Sequence, residues 1–359
     1  MDKSYHVVFM YGLTQLGFMF FFYPVDIIAS TTEGHWVAIA LGVAINMIVV
    51  WAYMKGLSYF PKQDIISIYL GVGKWAAILF LLPLVLFLIL VNIITVRAFA
   101  EIITLVFLAN TPAWAIMGLL LVISTYITLN GVNAIFRTGL LLALLFLPLI
   151  LFTTIISFQN VDFRYLFPLF PNNFSFMTKP AYLNSFSAFA GNFLFLGFVQ
   201  PFFSFSRKKM MVTLAALVPI FFLSVYLPLL TFGQATASTF KFPFVMLVST
   251  IHINWLMFDR VTIFLLLSLI TFTMLFISLL LWEASRILNR AVPKVKLNYF
   301  VIAVAGIIYG CCLLISNWEV IQAVVMWNTI FRFFVLFAIP FSILFIGLRS
   351  RRMYKDESV

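Results

Sequence analysis

The sequence predicts an all-α polytopic membrane protein with ten transmembrane helices, and three observations predict it. Of the 359 residues, 64% are hydrophobic and 9% are charged, against roughly 25% charged in a soluble domain. So few polar groups cannot clothe a water-facing surface, and the mean hydropathy of +1.13 agrees. Apolar stretches of spanning length, about 20 residues, recur along the chain. The basic residues fall mainly in alternate connecting segments.

The stretches run over 7–29, 35–57, 75–109, 112–129, 135–158, 184–205, 211–232, 260–288, 297–316 and 326–348. The third exceeds what an upright helix needs and must tilt or protrude. Residues 58–74, SYFPKQDIISIYLGVGK, mix apolar and polar residues at helical spacing after a proline and read as a short surface helix. Residues 159–182 hold Pro168, Pro171 and Pro180 and read as a loop without regular structure. Residues 235–255 are expected to hold a short helix starting near Pro243. The 18% aromatic content, with 44 Phe, suits lipid-facing helices and interfacial belts.

With the N-terminus set inside, one side collects Lys3, Lys55, Lys62, Lys74, Arg137, Arg207, Lys208 and Lys209. It also collects Arg286, Arg290, Lys294, Lys296 and the basic tail from Arg349. The other side holds Arg164, Lys179, Lys241 and Arg260. By the positive-inside rule both termini are expected to be cytoplasmic. The charge of +11 therefore reads as topology and contact with an anionic lipid bilayer, not as a nucleic-acid footprint. No cleavable signal peptide is read after Lys3, because no small-residue cleavage site follows the apolar run.

Enzyme chemistry finds little support. His6, His35 and His252 are scattered, and Cys311 and Cys312 are adjacent within an apolar run, so neither metal nor disulfide spacing appears. Gly71-Val72-Gly73-Lys74 lacks the spacing of a phosphate loop. No cofactor is expected.

The ionisable residues inside spans are functional candidates by default. Arg97 and Glu101 lie four apart on one helix face, as a functional pair or an internal ion pair that fixes packing. Arg332 has no local partner and is expected to pair with another helix or to snorkel past Asn328. Asp259 and Arg260 open the eighth span, where capping and anchoring explain them. Leu16-Gly17-Phe18 in the first span and Leu196-Gly197-Phe198 in the sixth occupy corresponding places, with Gly12 and Gly191 upstream. Transporters built from inverted repeats bind ligand where the first helix of each half is broken, often at Gly. Glycine packing between helices is the alternative reading.

Four motifs resemble the spore germination permease family, the B subunits of nutrient germinant receptors, within the amino acid–polyamine–organocation transporter superfamily. They are YFPKQDIISIYLGVGKW (59–75), VRAFAEIITLVFLANTPAW (96–114), YITLNGVNAIFRTG (126–139, with Gly131 and Arg137) and Phe258-Asp259-Arg260. Their order and spacing cover nearly the whole chain. The resemblance implies a LeuT-like fold of two inverted five-helix repeats, 7–158 and 184–348, with broken first and sixth helices and a cytoplasmic tail, 349–359. It implies a nutrient receptor in the spore inner membrane that binds a small nutrient, an amino acid, and works with an A subunit and a lipoprotein C subunit. An amino acid permease is the alternative.

In that fold the third and eighth spans flank the breaks. The resemblance thus draws a ligand pocket from Leu16, Gly17, Phe18, Asn92, Thr95, Phe195, Leu196, Gly197, Ser268, Thr271 and Phe272, with Gly17 and Gly197 marking the breaks. Arg97, Glu101, Arg137, Asp259 and Arg260 are implied to be structural or coupling residues. The hydroxyls, including Thr273, are alternatively read as bonding to their own helix carbonyls. Family members often show Gly-Thr-Gly in the first span and Gly-aromatic-Glu in the sixth. Here Gly17-Phe18-Met19 and Gly197-Phe198-Val199 stand instead, which points to a hydrophobic ligand or to loss of ligand binding. The fifth span lacks the lysine that some relatives use in place of sodium.

Overall fold

The computed structural model describes residues 3–106, 108–171, 173–251 and 261–356. Among these the secondary structure is helical throughout. The first expected span is two helices, α1 (Lys3–Met19) and α2 (Phe22–Ser30), bent by 52°. The break falls at Phe20-Phe21, just beyond Gly17-Phe18-Met19. α3 (His35–Leu57) follows. The surface helix is α4 (Ile65–Val72), opened by Asp64, whose carboxylate accepts the Ser67 N–H at 2.8 Å as an N-cap. α5 (Lys74–Val106) is 33 residues long, with Pro83 inside it. α6 (Ala113–Leu129) and α7 (Val132–Ile156) complete the first half of the chain.

Residues 157–179 carry short 3-10 turns. The sixth expected stretch is not one helix. It comprises α8 (Pro180–Ser185), a 3-10 turn at Phe186–Ala188, an irregular passage and α9 (Phe195–Val199). Gly191, at φ +97°, takes a left-handed conformation that helix cannot continue. α10 (Arg207–Ala237) kinks at Gly233, and α11 (Pro243–Ser249) is the short helix expected near Pro243. α12 (Thr262–Ala291) and α13 (Leu297–Leu314) are long. The last stretch begins at Trp318, earlier than the sequence suggests, as α14 (Trp318–Phe333). A π turn over Phe334–Ala338 leads into α15 (Ile339–Asp356).

Seven of these runs are long and apolar enough to cross a membrane, or eight with α1 and α2 counted as one broken span. α6 is apolar but short.

A bilayer supplies no water to free backbone groups, so a broken helix needs partners. In the sixth stretch Tyr53 of a neighbouring helix and Asn192 of the stretch itself provide them, and Gln200 ties its far end to α3. Tyr53 of α3 donates its hydroxyl to the Leu194 carbonyl at 3.0 Å. Asn192 donates to the Ala188 carbonyl at 2.6 Å and to Gln15 of α1 at 3.3 Å. Gln200 reaches back to the carbonyls of Leu57 and Phe60.

α12 runs through the core, packed on α1, α5, α6, α7 and α13. Gly17 allows α1 to lie close: a Cβ there would stand 3.3 Å from Thr273 Oγ1. Phe18 meets Phe276 edge to face at 4.9 Å.

Candidate functional site

Beside both breaks lies a cavity of about 320 Å³, within the size range of small-molecule sites. Its walls come from α2, the middle of α5, the broken stretch at α8, and α14. Phe18, Phe22, Phe87, Phe242 and Trp318 make it largely aromatic. Phe242 and Trp318 meet at 5.4 Å, and the exposed Lys241 lies over the Trp318 ring at 5.8 Å.

Besides the exposed Lys241, two opposite charges line this largely apolar space. Asp26 of α2 is half-buried and makes no hydrogen bond among the described residues. Arg332 of α14 is 1% exposed and close enough to Asp26 to interact electrostatically. Its Nη1 donates to the Leu183 carbonyl (3.1 Å), the Asn184 carbonyl (3.4 Å) and Asn184 Oδ1 (3.1 Å). Its Nη2 donates to the Val325 carbonyl at 3.0 Å. Nε has no partner among the described residues. A guanidinium has five N–H groups in a fixed fork, so Nε–H and one Nη2–H are left without a protein acceptor. Asn328 Oδ1, also buried and unpartnered, belongs to a residue of the same wall.

Of the pocket residues expected from sequence, Phe18 and Thr95 line this cavity. Thr95 also donates to the Val91 carbonyl at 2.6 Å. Gly17 and Gly197 do not line it and do not mark the breaks. Gly17 packs on Thr273, and Gly197 packs on Tyr53 and Ile65, so both serve close helix approach. Leu16, Phe195, Leu196 and Phe272 are buried in the apolar core. Asn92 is wholly buried, with neither amide atom partnered. Ser268 and Thr271 donate to the carbonyls of Phe264 and Leu267, each at 2.7 Å, on their own helix.

Arg97 pairs with Glu101 at 2.8 Å and donates to the carbonyls of Ile315 and Ser316, clamping α5 to the end of α13. Arg137 is exposed near the start of α7. Asp259 and Arg260 lie outside the described residues. The sequence reading passed over Asp26. A lone carboxylate in the run FYPVDIIAS was the available signal, because an intramembrane acid is a candidate by default.

The profile of the family described as "Spore germination protein" matches residues 3–320. The chain belongs to the spore germination protein family. Over 176 residues it is 26% identical to the spore germination protein GerQB of Bacillus cereus. That alignment spans 48% of this chain and 48% of GerQB, so the chain matches about half the length of that relative. Among solved structures it resembles the crystal structure of MhsT in complex with L-phenylalanine. The TM-score is 0.67 at 12% identity, over 96% of this chain and 97% of MhsT. The chain therefore has a LeuT-like helical fold.

Proposed function

We propose that the chain is the B subunit of a nutrient germinant receptor and binds an amino acid in the Asp26–Arg332 cavity. The observation that carries this reading is the pair of opposite charges, Asp26 and Arg332, in the wall of a largely aromatic cavity beside the helix breaks. An amino acid zwitterion matches it. The α-carboxylate would take the N–H groups that Arg332 leaves without a protein acceptor, the ammonium would meet Asp26, and an apolar side chain would rest on the aromatic wall. The GerQB relationship supports the germination role, and the phenylalanine bound to MhsT supports the ligand class.

The reading includes ten spans in two inverted repeats, both termini in the cytoplasm, and residence in the spore inner membrane with A and C subunits. In it Phe18 and Thr95 touch the ligand. Leu16, Gly17, Phe195, Leu196, Gly197 and Phe272 form the packed base behind the cavity that passes the change onward. The chain binds and signals without converting its ligand. A receptor needs only a ligand-dependent shift between populated states that its partners can read. The LeuT-like fold favours one second reading, an amino acid permease, which uptake into proteoliposomes would reveal.

Asp26→Asn is the cleaner test, because Asp26 makes no hydrogen bond among the described residues. Removing one partner of a desolvated charge pair costs about 2–5 kcal/mol. The nutrient concentration for half-maximal germination should therefore rise by about 30-fold or more, at unchanged membrane level. An unaltered dose response in Asp26→Asn spores would overturn the assignment.

A further inference from the structure

Glu283, near the Arg286 end of α12, is fully buried, and neither carboxyl oxygen has a hydrogen-bond partner among the described residues. Among the described side chains, the elements packed on α12 bring no counter-charge to it. α9 and α11 carry no titratable residue, α6 carries one tyrosine, and α13 carries only tyrosines and cysteines. On α5, Arg97 and Glu101 bond to each other, and Lys74 stands at the helix start. On α1, His6 feels Arg137 of α7, Tyr5 lies under Lys209, and Tyr11 bonds to Gln15. Tyr53 of α3 is the group near enough to sense charge on Glu283. A carboxylate stripped of water and of counter-ions is costly, whereas the neutral acid escapes most of that cost.

A second cavity, about 690 Å³, adjoins this end of the helix. Asp64, Phe202, Trp282 and Arg286 line it, and the exposed Lys62 and Arg290 stand at its rim. Trp282, the residue before Glu283, is 3% exposed. Its ring meets Phe198 of α9 at 6.4 Å and Phe202 at 6.2 Å. The Arg286 guanidinium lies over Phe202 at 4.8 Å and over Trp282 at 5.1 Å, and its Nη2 bonds to Asp64 Oδ2 at 2.6 Å. An ion pair thus holds in place an aromatic cluster that one limb of the broken helix also touches.

We propose that Glu283 is a proton-binding site, loaded while the Trp282 cover is closed and emptied into the water of the adjoining cavity when it opens. On emptying, the carboxyl O–H bond breaks, the electron pair stays on the carboxylate, and the proton passes to water. Because Phe198 belongs to α9, movement of the broken helix and loss of the proton become one event. The proposal does not depend on which nutrient is bound.

Infrared difference spectra of the full chain in nanodiscs test it. At neutral pH the wild type should show a protonated-carboxyl carbonyl band that Glu283→Gln lacks and that Glu283→Asp displaces. Two variants keep the test open if one of them folds poorly. On transfer to heavy water, that band should exchange about tenfold faster or more in Asp64→Asn and in Trp282→Ala, the factor that about 1.4 kcal/mol of lost cover contact gives. Identical carboxyl bands in the wild type and the Glu283 variants would show an ionised group and end the proposal. Equal exchange rates in the wild type and both cover variants would remove the cover from it.

Discussion

Adding one methyl group at position 197 tests how the broken helix is held. A Cβ on Gly197 would overlap the Tyr53 hydroxyl and stand 3.1 Å from Tyr53 Cζ. That hydroxyl is the donor that satisfies the Leu194 carbonyl at 3.0 Å. Gly197→Ala must therefore push the ring aside. Leaving a buried carbonyl unpaired costs about 1–3 kcal/mol, and overpacking adds about 1–3 kcal/mol. Tyr53→Phe loses the hydrogen bond without the crowding, so its cost is about 1–3 kcal/mol. In the double variant there is no hydroxyl left to displace. Its cost should fall below the sum of the two by about 1–3 kcal/mol, as expected for residues in contact. The assay is heat survival of the purified full-length protein, followed by size exclusion for all four combinations. Strict additivity, or a neutral Gly197→Ala, would refute this account. Loss of nutrient response in Gly197→Leu would then follow from lost protein, not from a ligand displaced from position 197.

Other outcomes follow from the same geometry. Arg97→Ala breaks the Glu101 pair and frees the carbonyls of Ile315 and Ser316. A loss of about 3–5 kcal/mol should lower the protein in membrane immunoblots, while Glu101→Gln, which leaves both carbonyl contacts, should be milder. At Asp64, burial works to raise the pKa, but the Ser67 hydroxyl and N–H and the Arg286 guanidinium outweigh it and hold the carboxyl below the usual carboxylate value. A depressed pKa stabilises above the unfolded value, about 3.9, and that contribution is lost as pH falls through the folded one. Amide exchange in α4 should therefore stay slow until the pH drops below about 4; loss of protection already at neutral pH would contradict it.

Some of this architecture could be read from the chain and some could not. The long apolar runs, the short helix at Pro243 and the helix before Gly73 follow from composition and punctuation, which are local. Arg97 and Glu101 were legible as a pair because four residues in a helix bring them together. Where the first and sixth stretches break was not legible, because glycine serves two purposes in membrane helices. Gly191 turns the chain, whereas Gly17 and Gly197 admit neighbours, and only the presence of Thr273 and Tyr53 distinguishes them. Arg332 stood out as a charge in apolar sequence and Asp26 was passed over, and their meeting depends on the packing of α2 against α8 and of α8 against α14.

The length of α5 has a mechanical consequence. At about 1.5 Å per residue its 33 residues extend roughly 50 Å, while bilayer hydrocarbon is about 30 Å thick. Phe87, Val91, Ile94 and Thr95, near its middle, form one wall of the charged cavity, and Arg97 fastens the helix to α13. Such a helix acts as a lever loaded by the lipid. Thickening the bilayer draws it upright and thinning lays it over, so the spacing between that wall and Asp26 is set partly by elastic stress. Ligand affinity measured in nanodiscs should thus vary with acyl-chain length while protein and ligand stay the same.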